Sequence, residues 1–116
     1  MFSVIGLLRR PDGQSVEQFR SWWLEHHVPT VLKMPGLQDY RLWTVDESLD
    51  QRALTFGSDA PYDGVAVITF DSKRSFEESI ASDAGKQDND SFNSGAPSST
   101  VLAGTPYVFL NGTPAS

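Results

Sequence analysis

Two adjacent histidines, His26 and His27, are the residues of this chain whose type best suits proton transfer. They are the only histidines in 116 residues, and they lie in the run Phe19-Arg-Ser-Trp-Trp-Leu-Glu-His-His-Val-Pro29. An imidazole has an ordinary pKa of about 6.5, so it can act as a general acid or base near neutral pH. At about 100° per residue, Phe19, Trp23 and His27 fall within about 80° of one another on the apolar face of a helix. His27 therefore points either into the core or at a cavity.

Metal and cofactor chemistry find little support in these residues. On a helix His26 points about 100° away from His27, so the pair does not readily chelate one ion. A zinc site would also need at least a third nitrogen or oxygen ligand, and we expect no metal site, with His26 at a rim or surface. The chain has no cysteine, which excludes disulfides and a thiolate nucleophile. The glycines form no phosphate-binding loop, so we expect no nucleotide or other cofactor.

The charge balance excludes some classes of partner. The formal net charge is −6 and the pI is about 4.6. No basic stripe is present to bind nucleic acid or an anionic membrane surface, so we expect neither partner. The amino-terminal apolar run precedes its basic pair and is too short for a signal peptide, and no run approaches the roughly 18 apolar residues of a membrane span. These features favour a cytoplasmic protein.

The elements that position the histidines follow the order strand, helix, strand, strand, helix, strand. The spacing Ser15-Val-Glu-Gln18 is typical of a capping box and places the first helical residue at Val16. Pro29 either follows that helix or opens a further turn. The predicted elements are a strand from Phe2 to Leu8, a helix from Val16 to about His27 or a little beyond, strands from Leu37 to Val45 and from Tyr62 to Phe70, a helix from about Ser72 to Ser82, and a strand from Val101 to Leu110.

Two connections between these elements are polar. The stretch from Asp46 to Pro61 is long and lacks clear periodicity, which makes it a candidate mobile loop or pocket lid. The stretch from Asp83 to Thr100 has little apolar content beyond Phe92. Its composition is that of a linker or disordered segment, but the spacing of Asp88 and Phe92 also permits a short helix anchored on the sheet. The sequence alone leaves both interpretations open.

The third predicted strand is apolar on both faces. Ala66, Ile68 and Phe70 point one way, whereas Val65 and Val67 point the other. Both faces must therefore be covered, yet two helices can cover only one face of a four-stranded sheet. The order of elements indicates an α+β, ferredoxin-like unit with a four-stranded antiparallel sheet. Its uncovered face is expected to meet a second copy in a symmetric homodimer.

Three motifs together resemble the EthD family. They are Phe19-x-x-x-Trp23-x-x-x-His27-x-Pro29, then Met34-Pro35-Gly36-Leu37-x-x-Tyr40, then Tyr62-Asp63-Gly64-Val65-Ala66 with Phe70-Asp71-Ser72. The resemblance covers Phe2 to about Phe109 and implies a dimeric α/β barrel, in which two ferredoxin-like sheets pack face to face. It also implies a small-molecule pocket between sheet and helices in each protomer. We expect one EthD-like domain over residues 1–110 and a C-terminal tail over 111–116.

The resemblance assigns roles to individual residues. His27 matches the histidine at the end of the family's first helix, and Asp63 matches the aspartate of the third-strand motif, so these two are the expected catalytic residues. The expected substrate-binding residues are Phe19, Trp23, Tyr40 and Tyr62, which match aromatic positions, together with Phe92. In this hypothesis Asp63 fixes the tautomer of His27 and stabilises its imidazolium, and a tyrosine donates to a developing enolate oxygen. The structural alternative is that His27 caps a backbone carbonyl and Asp63 anchors a turn.

Similar folds serve several reactions, so fold alone does not identify the chemistry. Our leading hypothesis is a cofactor-independent enzyme that acts on a small oxygenated cyclic or aromatic substrate of polyketide or lactone type. His27 would move the proton in an isomerisation, cyclisation, dehydration or decarboxylation, which makes this an isomerase or lyase of secondary or aromatic metabolism. The alternatives are a non-catalytic small-molecule-binding accessory protein and a cofactor-free monooxygenase.

Overall fold

Branched and aromatic residues form one antiparallel sheet, and two helical regions cover one of its faces. The computed structural model describes residues 1–46, 48 and 62–110. Strand order is β2-β3-β1-β4, with every neighbouring pair antiparallel. This is the predicted α+β, ferredoxin-like arrangement. The strands are β1 (Phe2–Leu8), β2 (Leu37–Thr44), β3 (Gly64–Phe70) and β4 (Thr100–Gly104), and the helices are α1 (Val16–Ser21), α2 (Val28–Leu32), α3 (Lys73–Ala81) and α4 (Asp83–Gly95).

The first helical region begins at the predicted capping box. The backbone N–H of Gln18 donates to Ser15 Oγ at 3.1 Å, and the backbone N–H of Ser15 donates to Gln18 Oε1 at 2.9 Å. Between α1 and α2 the chain forms a π-helical segment, Trp22–His27. Pro29 lies in the first turn of α2, directly after the π-helical segment. The helix therefore continues beyond His27 to Leu32.

The polar stretch after Ala81 is helical. It forms α4, which is 13 residues long and therefore longer than the short helix considered from the sequence. Ser82 Oγ accepts from the backbone N–H of Gly85 and caps the helix start. At Gly85 an added Cβ would overlap the backbone of Ser79 and Ile80, so only glycine permits this close approach of α4 to α3. The interpretation as a linker is wrong because capping and close backbone packing hold a helix with few apolar anchors.

The core lies between the helices and one face of the sheet. Leu8, Phe19, Trp23 and Ala96 form one buried cluster, and Val31, Met34 and Phe70 form another. Gly64 of β3 provides room for the Trp23 indole, because a Cβ there would lie only 2.5 Å from the ring. The sheet thus positions Trp23, and through it the π-helical segment.

None of the helices in the described part of the chain lies on the other face of the sheet. Ile5, Val65, Val67, Trp43 and Leu102 belong to this face by register. Trp43 is 52% exposed and Leu102 is 57% exposed. The predicted division of β3 into two apolar faces is confirmed, and one of those faces remains open in the single chain.

Several predicted boundaries shift by a few residues. β3 begins at Gly64, two residues later than predicted, because the backbone N–H of Asp63 instead donates to the carbonyl of Leu8 at 2.7 Å. β4 ends at Gly104, before Pro106, whose lack of an N–H interrupts strand pairing. The predicted lid from Asp46 to Pro61 lies largely outside the described residues, and the tail 111–116 lies wholly outside them.

Candidate active site

A cavity of about 630 Å³ lies between the covered face of the sheet and the helices. This volume is within the usual range of small-molecule sites. Its floor is formed by small and branched residues of the sheet, and its walls come from the π-helical segment, α2, α3 and α4. The lining residues include Val4, Gly6, Ala66, Ile68 and Val101 from the sheet, Tyr40 from β2, Trp23, His27, Val31 and Met34 from the first helical region, and Phe76, Ile80, Lys86, Asp88, Asn89, Asp90 and Phe92 from the second.

His27 is held in the wall of this cavity and is only 4% exposed. Its ring stacks on Trp22 with centroids 5.0 Å apart and meets Phe92 at 5.7 Å. Nδ1 lies 3.0 Å from Ser91 Oγ, and Nε2 lies 3.7 Å from Asp88 Oδ1. Asp88 and Ser91 are three residues apart on α4, so one face of that helix supplies both polar neighbours.

Thr30 joins Asp88 to the helix that carries His27. Its Oγ1 lies 2.8 Å from Asp88 Oδ1 and 2.7 Å from the backbone carbonyl oxygen of His27. A hydroxyl has a single hydrogen. Thr30 can therefore donate to only one of these oxygens. Both short contacts are hydrogen bonds at once only if Asp88 is protonated and donates to Thr30, which then donates to the carbonyl of His27. The same atomic positions thus permit two arrangements of the protons, one with Asp88 ionised and one with Asp88 protonated.

Burial and charge shift the pKa values of three groups in the site. Burial lowers the pKa of His27, and the negative charge of Asp88 partly opposes that change. Burial raises the pKa of Asp88, while the Thr30 hydrogen bond and His27 oppose the rise. Burial and the charge of Asp88 raise the pKa of Tyr40 to about 12. Near neutral pH these shifts favour a neutral imidazole and a protonated phenol.

Two polar atoms in the cavity wall have no hydrogen-bond partner among the described residues. They are Nε1 of Trp23 and Oη of Tyr40. The indole N–H is near enough to oppose the rise in the pKa of Tyr40, but the two atoms do not meet ordinary hydrogen-bond geometry.

The structure brings four of the seven predicted site residues to the cavity: His27, Trp23, Tyr40 and Phe92. Phe19 instead lies in the core, with its ring 5.5 Å from Trp22 and 6.0 Å from Trp23. The hydroxyl of Tyr62 lies 2.8 Å from Thr100 Oγ1, and Tyr62 is not a lining residue. His26 is exposed, as expected.

Asp63 is not brought to His27, and the expected pairing of these two residues needs correction. Asp63 Oδ2 accepts from the backbone N–H of Arg10 at 2.9 Å, and Oδ1 lies 3.8 Å from Arg10 Nε. The carboxylate thus anchors the turn after β1, as in the structural alternative. The carboxylate that faces His27 is Asp88, on a helix that the sequence did not establish.

Asp88, Ser91 and Thr30 are the functional candidates that the sequence interpretation missed. Asp88, Ser91 and Phe92 share one face of α4 at a spacing of three and four residues. Thr30 follows His27 by three residues, which places its hydroxyl over the same turn. Once the stretch is recognised as helical, this spacing is the signal that could have identified them.

The described residues contain no group of three or more histidine, cysteine, aspartate or glutamate side chains that could hold a metal ion. Among the same residues, none of the helices has the length and apolar character needed to cross a membrane.

Comparison with known proteins identifies the family. A family model described as the EthD domain matches residues 11–95, most of the chain and all of the helical part of the site. The chain belongs to the EthD family. No curated protein matches the chain.

Solved structures share the EthD fold of this chain at low sequence identity. An EthD family protein from Bacillus halodurans is 18% identical, with a TM-score of 0.75 over 92% of this chain and 99% of that one. SnoaB, a cofactor-independent oxygenase from Streptomyces nogalater, is 11% identical, with a TM-score of 0.66 over 96% and 97%. A dimeric ferredoxin-like protein of unknown function from Thermobifida fusca is 16% identical, with a TM-score of 0.61 over 90% of each chain.

Proposed function

We propose that this EthD protein is a cofactor-independent enzyme that moves a proton on a small oxygenated cyclic substrate, with His27 as the general base or acid. The observation that carries the proposal is the placement of His27: a buried imidazole in the wall of a 630 Å³ cavity, with a carboxylate 3.7 Å from Nε2. Asp88 takes the supporting role first expected of Asp63. Isomerisation, cyclisation, dehydration and decarboxylation all need such a proton transfer.

The cavity wall favours this chemistry in three ways. The lowered pKa of His27 keeps the imidazole neutral and able to accept a proton. Asp88 then stabilises the imidazolium, and the Thr30 hydroxyl, 2.8 Å from Asp88 Oδ1, holds the carboxylate in place. Stacking on Trp22 alone would let the imidazole rotate within its own plane. The contact between Ser91 Oγ and Nδ1 fixes that rotation. The apolar floor binds a flat ring system and limits the access of water.

A cofactor-free oxygenase is the second candidate, because SnoaB has this fold and works without a cofactor. Its first step would be the same proton removal, after which the electron-rich carbanion or enolate would react with O₂. A strict requirement of turnover for O₂ would favour this candidate over isomerisation or cyclisation. The third candidate is a protein that binds and carries its ligand without changing it.

Hydrogen–deuterium exchange tests proton transfer without knowledge of the natural substrate. The probe is 2-tetralone, a bicyclic ketone with exchangeable hydrogens beside its carbonyl, incubated with the protein in D₂O under argon and followed by ¹H NMR. We expect the protein to accelerate exchange above buffer, and His27→Gln to lower the accelerated rate by at least about 100-fold. His26→Gln changes the neighbouring, exposed imidazole and is the matched control.

The outcomes separate the three candidates. Full exchange activity in His27→Gln would eliminate His27 as the proton carrier. Binding of the ketone without any accelerated exchange would favour the carrier protein. Accelerated exchange under argon, with further turnover of the ketone or of an added quinol only after O₂ is admitted, would favour the oxygenase.

The open face of the sheet supports assembly as a homodimer. Trp43 and Leu102 are more than half exposed on a face otherwise formed by Ile5, Val65 and Val67. Exposed apolar patches of this kind usually lie in interfaces. The Thermobifida fusca protein of the same fold is dimeric. Two such faces packed together would place the two cavities on opposite outer sides of a closed barrel.

A further inference from the structure

Four consecutive large apolar residues follow β4 and lie mostly in solvent in the single chain. They are Tyr107, Val108, Phe109 and Leu110, and their exposed fractions lie between 60% and 92%. Single apolar residues on a surface are ordinary, whereas a contiguous apolar patch usually marks an interface. We call residues 106–110 the C-terminal arm.

The register of the sheet explains why the arm does not pack within its own sheet. β4 pairs with β1 as far as Ser3 opposite Gly104. Continued by one residue, this register sets Phe2, the first residue of β1, opposite Thr105. Pro106 then has no N–H with which to extend the pairing. The arm therefore extends past the end of β1, which is the one strand beside β4 in the described sheet.

The distribution of charge favours a second copy as the partner of the arm. The chain has a formal net charge of −6, so two copies repel each other over most of their surfaces. Residues 91–110, which include β4 and the arm, contain no charged side chain. Two copies can therefore meet in this region without placing like charges together. The lack of lysine and arginine also disfavours an anionic membrane, which holds apolar segments best beside basic residues.

The arm is continuous with the open face of the sheet. Leu102 of β4 lies on that face opposite Ile5, and it is itself exposed in the single chain. The apolar surface thus runs from the sheet through β4 into the arm. In a two-fold symmetric dimer every contact occurs twice, so the surroundings of one arm are also those of the other. Aromatic residues such as Tyr107 and Phe109 are enriched in the buried centres of interfaces.

We propose that the C-terminal arm of each chain packs against a second copy of the same chain. The inference rests on the homodimer proposed above, and it identifies a part of the interface that lies outside the sheet face. Burial of four large side chains from each chain stabilises the dimer in proportion to the apolar area removed from water. The open sheet face is apolar by itself, so the arm can prove unnecessary while the homodimer remains.

Removal of the arm should weaken the dimer. A chain that ends at Thr105 lacks the arm, and a chain that ends at Thr113 keeps it and is the matched control. By sedimentation equilibrium we expect the dimer dissociation constant to rise at least about 30-fold in the first chain and to stay within about twofold of wild type in the second. Phe109→Asp keeps the full length and should raise the constant at least about tenfold, which decides the question if the shortened chain does not fold.

Photochemical cross-linking identifies which chain the arm contacts. The sequence has no cysteine, so Leu110→Cys gives a single attachment point for a benzophenone. Labelled ¹⁴N chains are mixed in urea with wild-type ¹⁵N chains, refolded together and irradiated, and the linked peptides are identified by mass spectrometry. We expect peptides that join ¹⁴N to ¹⁵N chains. Glu25→Cys labels an exposed position of the π-helical segment, on the helical side of the sheet, and should give none.

The outcomes separate the arm from the homodimer. An unchanged dissociation constant in Phe109→Asp, or cross-links confined to ¹⁴N chains, would overturn the inference, and a dimer that persisted in that case would be held by the open sheet face alone. A wild-type chain that stays monomeric at every concentration would remove both the homodimer and the arm contact. Binding of the wild type to phosphatidylserine vesicles that is lost in the chain ending at Thr105 would assign the arm to a membrane surface and would also overturn the inference.

Discussion

The pKa of His27 depends on the carboxyl group of Asp88, which lies near the imidazole without a hydrogen bond to it. At 3.7 Å the Nε2 to Asp88 Oδ1 separation is too long for a hydrogen bond but short enough for a strong charge interaction. Nε2 can thus exchange a proton with a ligand while Asp88 still favours the imidazolium. Asp88 in turn is held by Thr30, which ties it to the helix of His27 and not to solvent.

This arrangement predicts how the activity of Asp88→Asn depends on pH. Proton removal needs neutral His27, so kcat/KM falls as the pH decreases through the pKa of His27, which burial places below 6.5. Asp88 raises that pKa, so its replacement by asparagine should move the acid limb to still lower pH. The plateau rate should fall about tenfold, because one favourable charge interaction of about 1.4 kcal/mol with the imidazolium is lost.

The pH–rate profile of 2-tetralone exchange measures both effects. Asp90→Asn is the matched control, because Asp90 lines the cavity without contributing to the pKa shift of His27. An acid limb that stays in place or moves to higher pH in Asp88→Asn would show that Asp88 does not act on His27.

At the scale of elements, α4 supplies Asp88 and Ser91 to the site, and its docking depends on two glycines, Gly85 and Gly95. Gly95 lies against the Trp22 indole, where any Cβ would overlap the ring. Trp22 stacks on His27, and α4 also supplies Asp88 and Ser91. A change at Gly95 therefore reaches the imidazole through one intervening side chain.

We expect Gly95→Ala to displace Trp22 and to lower both stability and activity. Overpacking of this kind costs about 1–3 kcal/mol of the free energy of unfolding, measurable by urea denaturation. Exchange activity should fall further than the unfolded fraction explains, because the ring of His27 loses its stacking partner. Gly104→Ala is the control, since a Cβ there meets nothing within 4 Å. Equal stability of the two variants would contradict this account of α4.

The same element marks the limit of prediction from sequence. Phe2–Leu8 and the start of α1 follow from local patterns, namely an apolar branched run and a capping box, and the structure confirms them. The helix α4 depends instead on the close approach of Gly85 and Gly95 to neighbouring elements. A single sequence does not indicate which of its glycines make such contacts. The sequence therefore did not identify Asp88 as a site residue. It indicated Asp63 as the partner of His27, although the carboxylate of Asp63 accepts a hydrogen bond from Arg10.

At the scale of the whole molecule, the open sheet face should determine the state of assembly. Trp43 lies on the edge strand β2 and is 52% exposed in the single chain. Its register neighbour Val65 and the adjacent Val67 extend the apolar surface across β3. Large aromatic residues at such positions contribute most of the binding energy in many interfaces.

Trp43→Asp should therefore convert a dimer of this chain into monomers. A charge placed on the open face would be buried without a partner in the dimer, at a cost of several kcal/mol for the two symmetric copies. Sedimentation equilibrium of the wild type and the variant measures the effect, which should be a rise in the dimer dissociation constant of at least about 100-fold.

Leu32→Asp places the same charge on an exposed residue of α2, away from the sheet, and is the matched control. A variant that stays dimeric like the wild type, or a loss of dimer in Leu32→Asp alone, would place the interface elsewhere. Because the described lining residues of the cavity lie on the covered side of the sheet and on the helices, away from Trp43, the Trp43→Asp monomer should still bind 2-tetralone, which separates assembly from the site.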